Sequence, residues 1–124
     1  MKMSKFLVAM ILTTVLAGAF TGAVALAQPK GERVTVTGEV VELWCYLEAG
    51  DRGAAKKACA TSCAKAGNPI AIVDAKGQLF TLAGLKSHQS AQELLLDKMS
   101  ETVTVTGTLV KNPNVQMIYV ELVR

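Results

Sequence analysis

Three cysteines and one histidine are the residues of this chain whose types and spacing could do chemistry. Cys59 and Cys63 stand four apart in the run Cys59-Ala-Thr-Ser-Cys63, Cys45 precedes them, and His88 is the only histidine among 124 residues. On a helix, positions i and i+4 share a face, with Cβ atoms roughly 5–6 Å apart. A disulfide needs Cβ atoms at roughly 3.5–4.5 Å, so a Cys59–Cys63 bond is disfavoured. Two thiols on one face suit a shared metal ion instead. Cys45 makes a set of three sulfurs, and His88 is a candidate fourth ligand. Thiolates select Cu(I) or Zn, and imidazole suits both. In an oxidising compartment a soft three-sulfur site favours copper, with zinc as the alternative ion.

An equal alternative is a disulfide from Cys45 to Cys59 or to Cys63. In a small exported domain such a staple is a common use of cysteine, stabilising by about 2–4 kcal/mol. It leaves one thiol over, since three is an odd count. A thiol redox role stands third. Cys59-x-x-x-Cys63 with a distant His88 also looks like the copper site of periplasmic Sco-type chaperones. The resemblance covers those three residues only; the thioredoxin-like fold and the Pro that follows the motif are missing. Other catalytic constellations are not readable. There is no Gly-x-Ser-x-Gly, no phosphate loop and no paired-carboxylate arrangement, so the chain is expected not to be an enzyme.

The compartment is read from the first 27 residues. Met1-Lys2-Met3-Ser4-Lys5 is a short basic start, Phe6 to Phe20 is almost wholly apolar, and Ala25-Leu26-Ala27 offers small residues before Gln28. That is the layout of a bacterial secretory signal peptide, with the mature chain in the periplasm or outside the cell. Residues 28–124 then form a single domain of a size that supports one modest core. Loss of Lys2 and Lys5 lowers the formal net charge from +3 to +1. A chain so close to neutral has no electrostatic case for nucleic acid or an anionic membrane, and no membrane contact is expected after cleavage. The expected partner is a metal ion or a periplasmic protein.

The elements that must position the cysteines follow from periodicity. Val34-Thr-Val-Thr-Gly38 recurs as Val103-Thr-Val-Thr-Gly107. Both copies alternate with period two, as half-buried strands do. The first continues through Val40-Val41-Glu42-Leu43-Trp44-Cys45, where a shift of apolar register predicts a bulge and puts Val41, Leu43 and Cys45 on one face of a long strand. Ala54 to Ala66 reads as a helix ended by Gly67 and Asn68-Pro69. Its small face carries Ala55, Ala58, Cys59, Ser62, Cys63 and Ala66. Pro69–Asp74 and Gln78–Leu82 form a hairpin about Ala75-Lys76-Gly77. Ser90-Ala-Gln-Glu93 is a capping-box pattern for a second helix ending near Met99. Two more strands follow, Thr102–Val110 and Val115–Val123.

The predicted class is mainly β with two helices: a five-stranded OB-like Greek-key barrel with a helical insertion, about 46–67, between strands one and two. A split two-sheet sandwich is the alternative. On the Val-Thr-Val-Thr-Gly strands, the Asp74-Ala-Lys-Gly77 hairpin and the capped helix from Ser90, the chain resembles small secreted bacterial OB-fold proteins, over nearly all of residues 28–124. The cysteine-bearing insertion departs from that pattern. In a barrel of this order the insertion and the segment holding His88 leave from the same end.

Overall fold

The computed structural model describes residues 29–124; the expected signal peptide, residues 1–27, lies outside the described residues. Five strands form the frame: β1 Glu32–Glu42, β2 Ile70–Asp74, β3 Leu79–Gly84, β4 Thr102–Asn112 and β5 Val115–Val123. They close into a barrel in the order β1-β2-β3-β5-β4, with β4 returning to β1. All neighbours are antiparallel except β3 and β5, which are parallel. Three short α-helices join them: α1 Leu43–Ala49, α2 Lys57–Lys65 and α3 Gln92–Leu95, with single 3₁₀ turns at Ala54–Lys56 and Leu96–Lys98. No helix among the described residues is long and apolar enough to cross a membrane.

The recurring pentapeptide is the seam that closes the barrel. Its two copies pair antiparallel in perfect opposition: Val34 faces Gly107, Val36 faces Val105, and Gly38 faces Val103. Each glycine therefore meets the valine at the far end of the other copy. Thr35 bonds Thr106 at 3.1 Å and Thr37 bonds Thr104 at 2.8 Å on the outer face. A Cβ added at Gly38 would come under 3.0 Å from the Val73 carbonyl, and one at Gly107 would crowd the Tyr119 carbonyl likewise. Glycine is placed where one strand bends closely over its neighbour.

Two expectations are corrected here. The first strand does not run on to Cys45; it ends at Glu42, and Leu43 to Ala49 is helical. Nor is there a bulge at Val40-Val41, because β1 stays in register with β2 from Gly38 to Glu42. The register shift lies between Thr106 and Gly107, opposite β5. The doubled valines have another cause. Val40 points into the barrel core with Ile72, Leu95, Met99, Val105 and Ile118, while Val41 points outward into a second cluster with Ala71 and Val73. That outer cluster is covered by Leu43 and Tyr46 at the start of α1. A strand buried on both faces shows continuous apolar residues without any change of register.

The helix after the hairpin is shorter than expected, with α3 followed by a 3₁₀ turn. Its capping box is half formed: the Ser90 N–H donates to Glu93 Oε1 at 3.3 Å. Leu95 and Met99 are fully buried and plug the barrel from that side. The face of α2 that enters the core is not the small face that carries the cysteines. Ala60 and Ala64 pack into the core, leaving the two cysteines turned toward α1.

A three-thiol centre between two helices

The site begins with a buried carboxylate. Among the described residues Glu42 is the only buried charged one, at 1% exposure. It ends β1 and caps α1, with Oε1 accepting from the Trp44 N–H at 2.8 Å and Oε2 from the Cys45 N–H at 2.9 Å. Helix starts leave such N–H groups without partners, so a carboxylate there is stabilising on both hydrogen-bonding and dipole grounds. The chain turns from strand to helix at this point, and the first turn presents Cys45. Gly50 closes α1 in the left-handed conformation (φ 68°), its N–H bonding back to Tyr46.

The link from α1 to α2 is tied down by charge. Glu39 on β1 receives the Arg52 Nε at 3.0 Å and also the Gly53 N–H. Lys56 pairs with Asp51 at 2.9 Å. Lys57 at the head of α2 pairs with Glu101 just before β4. At the other end the Asn68 N–H donates to the Cys63 carbonyl at 3.2 Å, and Gln92 Nε2 donates to the Asn68 carbonyl at 2.8 Å. Thus α2 is fixed at both ends and lays Cys59 and Cys63 beside Cys45.

The three sulfurs converge. Their Sγ atoms lie 4.1–4.2 Å apart, and all three cysteines are free thiols. The staple from Cys45 is therefore not formed. Cys59 is exposed, whereas Cys45 and Cys63 are half-buried. A crevice beside them is lined by Glu42, Cys45, Asp51, Lys56, Cys59 and Ser100, among others. An equilateral triangle of that side has its centre about 2.4 Å from each corner, close to the ~2.3 Å of a zinc–thiolate bond.

His88 is placed elsewhere. It lies in the bend between β3 and α3, at φ 64°, and lines a hollow with Pro29, Gly84, Lys86 and Tyr119. The ligand atoms that converge within 4.8 Å are those of Cys45, Cys59 and Cys63, and His88 is outside that group. Trp44 stands 66% exposed beside the site, its Nε1 donating to Glu48 at 2.8 Å, while Tyr46 packs on the outer cluster.

The electrostatics around Cys45 and Cys63 favour neutral thiols. Cys45 is pushed up to about 12, first by the hydrogen bond it makes to the Glu42 carboxylate, then by burial and by the negative charge of Glu42 itself. Burial raises Cys63 as well, against the opposing hydrogen bond with Cys45. For Glu42, burial alone would push the carboxyl up. The donors from Cys45, Trp44 and Asn68 outweigh it and hold the group below its ordinary value. Glu42 was not singled out by the sequence. The one available signal is a lone acid within Val40-Val41-Glu42-Leu43, which reads equally well as the outward residue of a strand.

Fold and site together define a closed five-stranded barrel capped by a helical insertion that gathers three thiols. No protein-family model, no curated protein and no solved structure matches the chain.

Proposed function

We propose that this is an exported binding module of OB-like architecture that holds one soft metal ion, Cu(I) in preference to zinc, through Cys45, Cys59 and Cys63. The observation that carries the reading is the triangle of free sulfurs 4.1–4.2 Å apart, contributed by two separate helices. Soft sulfur donors select thiophilic ions. The size of the triangle supports three-coordination. Cys45, Cys59 and Cys63 would supply a complete three-sulfur donor set, whereas a tetrahedral zinc site would require a fourth ligand. The strand order, with β3 parallel to β5 and a helix between β3 and β4, supports the OB-like reading.

The test is a titration of the reduced protein with Cu(I) under anaerobic conditions against a competing chelator. One equivalent is expected, with thiolate-to-copper charge-transfer absorption. Each single Cys→Ser variant is expected to weaken uptake strongly. Three titratable thiols combined with no uptake of Cu(I) or Zn would sink the proposal.

A further inference from the structure

The same three thiols are unequal in ways that point to a second chemistry. Cys59 is exposed, while Cys45 and Cys63 are half-buried. An external disulfide thus reaches Cys59 first. Cys63 is an unsuitable second thiol, because both sit four apart on α2 and the bond would require that helix to unwind. Cys45 is on a different element. Helix α1 has seven residues, none of them buried, and is held mainly through its first turn by the Glu42 cap and by Leu43 and Tyr46. The Sγ gap is 4.1–4.2 Å against ~2.05 Å in a disulfide, and Cys45, on a separate short helix, can close it without unwinding α2.

We infer that the centre undergoes thiol–disulfide exchange, with Cys59 as the attacking thiol and Cys45 as the resolving one, so that oxidation closes the metal site. The inference rests on the metal reading for its regulatory meaning, but the exchange chemistry stands on the sulfur geometry alone. The oxidant is a low-molecular-weight disulfide. The Cys59 thiolate attacks one of its sulfurs, its S–S bond breaks, and one thiol leaves. Cys45 passes its proton to the Glu42 carboxylate to which it is hydrogen-bonded, attacks Cys59 Sγ and expels the second thiolate, which takes up a proton as it leaves. The protein gives up two thiol protons and two electrons, and the oxidant is reduced to two thiols. Only Cys63 remains as a soft ligand, one donor where three are needed. Coordination of Cys59 to an ion would lower the nucleophilicity of its sulfur and slow the first attack.

The experiment uses the reduced, metal-free protein in excess oxidised glutathione. It counts free thiols, maps the linkage by mass spectrometry, and is repeated after one equivalent of Cu(I). Loss of two thiols with a Cys45–Cys59 link is expected. Cys63→Ser should retain the link, Cys45→Ser should stall as a mixed disulfide on Cys59, and Cys59→Ser should react on the order of tenfold more slowly. A Cys59–Cys63 link, or a mixed disulfide that persists in the unmutated protein, overturns the inference and leaves metal binding untouched. A Cys45–Cys59 link in a protein that takes up no copper retains the exchange and removes the metal reading. Equal oxidation rates with and without a stoichiometrically bound ion overturn the protection by metal.

Discussion

Glu42 governs the site without being among its ligands. Its two oxygens satisfy the first N–H groups of α1 and also hold the Cys45 thiol. Glu42→Ala removes the cap and leaves partly buried donors unpaired, so a loss of about 1–2 kcal/mol is expected, measured as a lowered urea midpoint at unchanged slope. Cys45 adds a pH dependence. Its thiol is held up to about 12, so it is protonated at neutral pH and an incoming ion must displace that proton. The raised value makes uptake weaker as pH falls, by about tenfold per pH unit for each proton displaced. Competition titrations at pH 6, 7 and 8 measure the slope, and a pH-independent affinity would contradict thiolate binding. In the sequence, the trio of cysteines and the improbability of a Cys59–Cys63 bond were legible from spacing alone. Glu42 was not, because its role depends on the chain turning into a helix one residue later.

The strands were easier to read than their ends. Period-two alternation and the recurring Val-Thr-Val-Thr-Gly identified the two that close the barrel, while β2 and β3 were read from the turn between them and β5 from the turn at Asn112-Pro113-Asn114. The β1–α1 boundary was hidden for a physical reason. Val40 and Val41 are both apolar because two layers cover this end of β1, the barrel core on one side and Leu43 and Tyr46 of α1 on the other, and such a pair has no period to reveal where strand gives way to helix. The same double covering imitated a bulge. Gly38 and Gly107 belong to this scale too. Alanine at either position must displace a neighbouring strand's backbone, so Gly38→Ala and Gly107→Ala are each expected to cost about 1–3 kcal/mol. Thermal or urea unfolding measures this, and a neutral result at both would refute the close approach of the strands.

For the molecule as a whole, the barrel and its cap are held by different forces. Barrel closure buries the large side chains; the cap is short helices, surface ion pairs and three uncommitted thiols. An ion bound by Cys45 on α1 and by Cys59 and Cys63 on α2 ties the cap together. At a free-ion concentration about one hundred times Kd, binding adds about 2.7 kcal/mol to stability. For a domain of this size that raises Tm by about 10 °C or more. A chelator should reverse the shift. Hydrogen exchange should slow in α1 and α2, and exchange in α1 left unchanged by the ion would indicate that the ion sits elsewhere.

The palindromic seam has a consequence for two molecules rather than one. Because β1 meets in β4 an antiparallel copy of its own pentapeptide, β1 of one chain can meet β1 of another with the same valine, threonine and glycine oppositions. Once the barrel opens along that line, intramolecular closure competes only through proximity, not through better-matched partners. Refolding at high concentration should therefore yield strand-exchanged dimers that dilution suppresses, separable by size-exclusion chromatography. Substitutions that make the two pentapeptides unlike, such as Thr35→Lys and Thr37→Lys with Thr104→Glu and Thr106→Glu, should pair each β1 with its own β4 and set like charges against each other wherever two β1 strands meet.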